Sequence, residues 1–221
     1  YKSYGDKEVL KNINLTIPRG KIIGLLGKNG TGKTTLIKLI NDLLTPTKGE
    51  ILINGEKVGV ESKKIISYLP ERTYLNKQMT VEEVLEYFND FYDNFNIDKA
   101  RKLLNDLNLD TKFKLAKMSK GMQEKVQLVL VMSRKADLYI LDEPEAALSP
   151  MRILTLMAEM DRIVKKHSQF IISTHSPILM AFPDAQVFEC SSNGIQTVDY
   201  RETEHFRVTK EFMNNPDRIL H

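Results

Sequence analysis

The sequence predicts an α/β fold: a parallel sheet core, antiparallel strands ahead of it, and an α-helical subdomain inserted within it. Three observations carry this. The apolar run "KIIGLLG" feeds into a glycine-rich stretch and then a helical pattern. Two further apolar runs, "DLYILDEP" and "SQFIISTH", flank a helical segment, the β-α-β order that gives parallel neighbouring strands. Between these regions, residues 72–132 read at a helical period.

Taken in order, "VLKNINLTI" alternates, with Val9, Ile13, Leu15 and Ile17 on one side, and is expected to be one half-buried antiparallel strand ending at the turn Pro18-Arg19-Gly20. "KIIGLLG" is short and wholly apolar, as a buried strand must be. The helix after it is expected over 33–44, stopped near Thr45-Pro46. "GEILING" reads as a strand with an Asn54-Gly55 hairpin turn, and "KIISYLPE" as a strand halted by Pro70. Thr80-Val81-Glu82-Glu83 matches the capping box that starts a helix, with Val84, Leu85 and Phe88 on one face. A second helix is expected over 98–107, with Leu103, Leu104 and Leu107 inward, and a third after "MSKGMQ". A helix over 151–166 joins the two apolar strands. "VFECSSNGIQTVDY" reads as a hairpin turning at Asn193-Gly194, before a short polar helix. The organisation expected is one domain, its core built from 1–71 and 133–221 and its helical subdomain from about 72–132.

Composition excludes several classes. The 221 residues, 42% hydrophobic, suffice for a single large core. Lys and Arg number 32 against 29 Asp and Glu, net +3, without a dense basic block, so no nucleic-acid surface is expected. The single cysteine, Cys190, cannot form an internal disulfide and is expected to be a buried thiol in a reducing cytosol. No apolar run approaches the roughly 20 residues that span a bilayer, and no signal-peptide pattern opens the chain. The chain begins on Tyr1 rather than methionine, so further first-strand residues are expected ahead of it.

"GKNGTGKT" at 27–34 satisfies G-x-x-x-x-G-K-[ST] after a strand and at the mouth of a helix, which predicts a P-loop NTPase. Gly27, Gly30 and Gly32 let the backbone curl, so that N–H groups along Lys28, Asn29, Thr31 and on to Thr35 can face one anion at a helix N-terminus. Lys33 can reach the β- and γ-phosphates of ATP, and the Thr34 hydroxyl can ligate Mg²⁺. "LYILDEP" ends an apolar strand in two acids: Asp142 is placed to hold Mg²⁺ through its water shell and Glu143 to polarise the attacking water. Glu145 is the rival base, and Pro144 is expected to keep Glu143 extended or in a turn. His175 ends the next apolar strand, where it can donate to a γ-phosphate. His167, His205 and His221 have no such context and read as surface residues.

These pieces in this order resemble the ATP-binding cassette (ABC) family over nearly the whole chain, through "GKNGTGKT", "SKGMQ", "LYILDEP" and "STH". The resemblance implies that Ser119, Gly121 and Gln123 of "SKGMQ" bind the γ-phosphate of ATP held by a second cassette, homo- or heterodimeric, in a head-to-tail pair. It implies an adenine-stacking role for Tyr4, with Tyr1 as rival. Glu71 stands where most members carry a Mg²⁺-touching glutamine, a Pro-Glu departure similar to an exporter branch handling drugs, peptides or antibiotics. The activity implied is Mg-dependent ATP hydrolysis driving a separate integral membrane permease from the cytoplasmic, inner face of the membrane. Ser149 stands where transport cassettes usually carry aspartate, and "EAALSP", "STHSPILMAFPDA" and "TEHFRVTKEFMNNPDRIL" look like stand-alone predicted ATPases of cassette type. They imply the alternative, a soluble ATPase with a regulatory or defence role and a protein partner.

Overall fold

The computed structural model describes residues 1–191 and 194–217. The chain opens on an antiparallel hairpin, β1 (Lys2–Tyr4) and β2 (Lys7–Leu10), in place of the single strand expected to Ile17. Gly5, at φ 58°, folds the chain back and Asn12, at φ 44°, ends the second strand; residues 11–21 run on without a strand. Only glycine and short polar residues take that left-handed region cheaply.

β3 (Ile22–Leu26) is buried along its whole length and runs through the loop into α1 (Lys33–Ile40). That helix stops short of the expected Leu44. The Asn41 amide donates to the Ile37 carbonyl at 2.8 Å and Asp42 turns left-handed at φ 53°, so the ladder ends there. β4 (Leu52–Ile53) and β5 (Glu56–Lys57) form the hairpin expected at Asn54-Gly55, both residues at positive φ as a type I′ turn requires. Lys64 and Ile65, expected to begin the next strand, instead end α2 (Val60–Ile65), whose first turn is fixed by Ser62 bonding Gly59, so β6 spans only Ile66–Leu69.

The helical segment contains α3 (Val81–Phe91), α4 (Ile97–Asp106) and α5 (Lys120–Met132). The capping box forms: Thr80 Oγ1 accepts from Glu83 N while Glu83 Oε2 accepts from Thr80 N. Leu85, Phe88, Leu104, Leu115, Val126 and Leu130 make a core of their own, each full burial stabilising by about 1.5–3 kcal/mol. On α5 the neighbours Leu128, Val131 and Met132 pack the main core instead, so this helix joins the two. Arg134, buried just beyond it, donates to the carbonyls of Ile66 and Lys64 and to Asn94 Oδ1, and lies 3.8 Å over the Tyr92 ring.

β7 (Leu138–Asp142), α6 (Pro150–Val164), β8 (Gln169–Ser173), α7 (Pro177–Met180), β9 (Gln186–Ser191), β10 (Gly194–Val198) and α8 (Glu204–Asn214) complete the chain. The expected turn at Asn193 lies outside the described residues. The main sheet runs β10-β9-β3-β8-β7-β6, parallel from β9 to β6, with β10 antiparallel on the edge. β8 therefore lies between the strand that feeds the glycine loop and the strand that ends in Asp142. This ordering puts three chemically loaded strand ends side by side, where ligands meet parallel sheets.

Candidate nucleotide-binding site

The glycine loop is held in shape by contacts that only glycine permits. A Cβ on Gly27, at φ 140°, would lie 2.4 Å from the Cys190 carbonyl oxygen; one on Gly32, at φ 100°, would lie 2.6 Å from the Leu10 side chain. Cys190 is thus a buried free thiol, as expected, whose backbone backs the loop. Thr31 Oγ1 donates to the Lys28 carbonyl at 2.9 Å. The buried Lys33 ammonium donates to the carbonyls of Gly27 and Lys28, which poises a positive charge inside the loop's curl. The first N–H groups of α1 have no intrahelical acceptor and open on the same space, making an anion cradle with a favourable dipole.

Asn29, Gly30, Gly32, Lys33, Thr34 and Thr35 line one open cleft; Glu71, Glu143 and Ser173 face it from the sheet, and Lys7 and Val9 of β2 close one side. Asp142 sits behind them, 3% exposed. Burial pushes its carboxyl up to about 6, opposed first by the Ser173 hydroxyl across from it and then by Lys33, with Glu143 and Glu71 adding negative charge. The Asp142 Oδ2 and the Ser173 Oγ are buried and close enough for the hydroxyl to favour the carboxylate, but neither reaches a partner at full hydrogen-bond geometry among the described residues.

Of the two conformations expected for Glu143 before a proline, extended or turn, the structure takes the turn. The residue is left-handed, at φ 53° and ψ 54°, with its N–H bonded to the Ser173 carbonyl at 2.8 Å. For a non-glycine residue that geometry costs on the order of 1 kcal/mol and is concentrated at working sites. Glu145, its rival, is engaged elsewhere: Oε1 accepts from Thr174 Oγ1 at 2.6 Å, His175 N at 2.8 Å and Ser176 N at 3.1 Å. It holds the loop that carries His175. The His175 ring places Nε2 3.6 Å from Glu143 Oε1 and Nδ1 3.2 Å from His205 Nε2. His205 is therefore no bare surface residue: it is half-buried against His175. His167 is exposed, and His221 lies outside the described residues.

Tyr4 stands exposed near the hairpin turn, paired with Lys7, which lines the cleft. Tyr1 is tied through its backbone, its amine donating to the Lys48 carbonyl and its carbonyl accepting from Thr47 N. Ser119, Gly121 and Gln123 do not line the cleft. Ser119 caps α5 by accepting from Met122 N at 3.3 Å, and the Gln123 amide donates to the Leu115 and Met118 carbonyls at 3.0 Å. Gly121 opens on free space, with nothing within 4 Å of a built Cβ.

A family model described as ABC transporter matches residues 10–146, from β2 through the loop, the helical segment and the two acids. The chain belongs to the family of ABC transporter ATP-binding proteins. It is 32% identical over 180 residues to EcsA, an ABC-type transporter ATP-binding protein of Bacillus subtilis, over 78% of this chain and 73% of that one. YtrB of the same organism, also an ABC transporter ATP-binding protein, is 29% identical over 179 residues, 79% of this chain and 61% of YtrB. The chain thus spans about three fifths of the length of YtrB. A solved ATP-binding subunit of an ABC transporter superposes with TM-score 0.79 at 27% identity, covering 96% of this chain and 94% of that one. The ATP-binding cassette MJ0796, solved as a dimer with ADP and phosphate, shares the fold with TM-score 0.76 at 20% identity over 92% and 96% of the two chains.

Sequence reasoning passed over three parts of this ABC site. Ser173 stands inside "SQFIISTH" and was within reach of the strand-end argument. Lys7 and Val9 reach the cleft only because Gly5 folds the hairpin. His205 arrives from a helix 30 residues beyond His175, and nothing in the spacing announces it.

Proposed function

We propose that this chain binds and hydrolyses ATP with Mg²⁺ as one of two cassettes in a head-to-tail dimer that drives a separate integral membrane permease from the cytoplasmic face of the membrane. The observation that carries this reading is the convergence of the glycine loop, Asp142, Glu143 and His175 on the carboxyl ends of the adjacent strands β3, β7 and β8. The loop amides and Lys33 bind the β- and γ-phosphates. Glu143, whose side chain lines the cleft beside the His175 ring, takes the proton of the attacking water, while Glu145, its Oε1 accepting three hydrogen bonds, positions the His175 loop.

The residues present fit a hard divalent cation. Asp142 lies buried directly behind the cleft with an Oδ2 that reaches no partner at full hydrogen-bond geometry, and Thr34 and Glu71, which line the cleft, bring further oxygen donors. Mg²⁺ there would neutralise charge on the phosphates. Tyr4 stacks on adenine. Ser119 and Gly121, turned away from this cleft, serve the nucleotide of the opposing cassette, with Gln123 bracing the loop ahead of them.

The helical segment, about 72–132, acts as the arm that meets the permease, with 1–71 and 133–221 as the nucleotide-binding core. Its surface carries exposed Tyr74 and Phe113, and Tyr87 stacks on Phe91 at 6.0 Å in the open, an apolar exterior suited to a protein partner rather than nucleic acid. No helix among the described residues is long and apolar enough to cross a membrane. A second reading, a stand-alone ATPase with a soluble protein partner, is favoured by Ser149 and by the contact between α8 and His175. Purification from native membranes separates them: a stoichiometric multi-span partner supports the transport reading, and recovery in the soluble fraction alone overturns it. ATP turnover that needs Mg²⁺ and is lost on Lys33→Ala tests the chemistry.

A further inference from the structure

His175 is held from two sides. Its backbone N–H donates to Glu145 Oε1 at 2.8 Å, and its ring Nδ1 lies 3.2 Å from Nε2 of His205 in the first turn of α8. The first turn is itself anchored. Thr203, buried, donates to the Tyr200 carbonyl at 2.6 Å and caps the helix at Phe206 N, while Tyr200 meets Phe206 edge-on at 5.1 Å and packs on the cluster of Leu26, Met180 and Val187. His205 is thus presented to His175 by a braced segment, not by a loose tail.

The charges around the ring favour one tautomer. The Glu143 carboxylate, an acceptor, faces His175 Nε2 at 3.6 Å, just beyond hydrogen-bond length, and so favours the ring proton on Nε2. Nδ1 is then bare and must accept, and the group opposite it, His205 Nε2, must donate. The chain carboxylate–His175–His205 orients the imidazole so that Nε2–H points toward the cleft, where a terminal phosphate oxygen or the water beside it would be met. Partners of this second kind typically change activity by about 10- to 100-fold when removed.

We propose that His205 is a positioning residue for ATP hydrolysis, holding His175 in the Nε2–H tautomer and in register with Glu143, so that the C-terminal helix α8 is coupled to turnover. This rests on the function proposed above for Glu143 and His175. A helix outside residues 10–146, the span matched by the family model, then becomes part of the working site: a partner that lifts α8 slows hydrolysis without touching the nucleotide.

The test uses the full chain with Mg-ATP. His205→Ala is expected to lower kcat about tenfold with KM for ATP within about twofold, and His205→Gln, whose amide Nε2–H can donate from nearly the same place, to recover most of it. Lys210→Ala, farther along α8, is the control and leaves kcat unchanged. With only 4 histidines in the chain, ¹⁵N imidazole spectra resolve His175: a bare Nδ1 and a protonated Nε2 in the parent, and a mixed tautomer in His205→Ala. An unchanged kcat in His205→Ala, a loss that His205→Gln does not recover, or His175 nitrogens identical with and without His205 each overturns the proposal. Should the parent show no ATP turnover at all, the proposed function fails instead, and the spectra still decide whether His205 sets the tautomer.

Discussion

Replacing Gly121 with alanine separates what the signature stretch does for its own chain from what it does for another. Gly121 lies in the first turn of α5 and its φ is not positive, so no conformational need for glycine exists there. A Cβ built on it meets nothing within 4 Å. Alanine is favoured over glycine in a helix by about 1 kcal/mol, somewhat less in a first turn, so the isolated protomer should gain roughly 0.5–1 kcal/mol, or about 1–4 °C in Tm for a chain of this size. Dimer formation with ATP should move the other way. If the backbone N–H groups around Gly121 donate to a terminal phosphate across the interface, the added methyl displaces at least one charge-assisted hydrogen bond worth about 1.5–3 kcal/mol, a roughly 10- to 150-fold weaker dimer. The assay is light scattering on a size-exclusion column with Mg-ATP, run in a Glu143→Gln background so that nucleotide is not consumed. A Gly121→Ala protein that dimerises as tightly as its parent refutes the composite-site reasoning. One that loses protomer stability refutes the claim that the glycine is idle within its own chain.

Other expectations follow the same logic. Glu143→Gln should keep ATP binding and Tm while slowing turnover by about 10²–10⁴; Glu145→Gln, whose carbonyl still accepts the three bonds, should cost about 1–3 kcal/mol of stability and no more than about tenfold in turnover. Steady-state kinetics beside thermal melts distinguish them, and a reversed pattern would transfer the base to Glu145. Arg134→Ala leaves the Ile66 and Lys64 carbonyls and Asn94 Oδ1 short of a donor, so urea unfolding should show a loss of about 3–5 kcal/mol, and a loss under about 1 kcal/mol would remove Arg134 as the joint between helical segment and sheet. Asp142→Asn should raise the Tm of the nucleotide-free chain at pH 7. The Asp142 carboxyl, raised from 3.8 to about 6, disfavours the folded state wherever it is charged, by about 1–3 kcal/mol; the advantage of the variant should shrink as pH falls from 6 toward 4. A Tm gap independent of pH would remove the buried charge as its cause.

What was legible in the sequence was what is decided locally. The strands β3, β7 and β8 are runs of five residues with apolar cores, and their period and their abrupt ends in Gly27, Asp142 and Ser173 could be read without tertiary information. The cap at Thr80 and the turn at Asn54-Gly55 belong to the same kind. The first strand failed because alternation alone cannot show that Gly5 reverses the chain and Asn12 ends it. α2 was missed because its six residues, four of them polar, show no helical apolar period, and the Ser62 to Gly59 bonds that start it are not announced by spacing. At the site, Asp142, Glu143 and His175 at the strand ends were visible, Ser173 was within reach but passed over, and the partners behind them were not. Glu145 read as a rival base because its sequence position resembles that of Glu143, and only the Thr174-His175-Ser176 turn folding onto it shows otherwise. His205 needed the whole C-terminal segment to be placed before it meant anything.

The polar atoms left without partners show why the cleft is built where it is. Among the described residues, the buried side-chain oxygens lacking a hydrogen bond are those of Gln127, Ser133, Asp142, Glu145 and Ser173. Ser133 caps α5 away from the cleft, but the others follow the carboxyl ends of β6, β7 and β8, with Gln127 reaching them through the Pro70 carbonyl. Each such atom costs about 1–3 kcal/mol, so a chain optimised for stability alone would have filled this edge with apolar side chains. The deficit is offset only when something arrives to use it. A ligand at 100 times its Kd returns about 2.7 kcal/mol, comparable with the penalty on Asp142 alone. The order of stabilities should therefore invert with ligand: Asp142→Asn melts above the parent without nucleotide, and below it once saturating Mg-ATP supplies the cation that only the carboxylate can hold. If the variant stays above the parent in both conditions, Asp142 is a buried charge without a metal to serve, and the Mg²⁺ assignment falls.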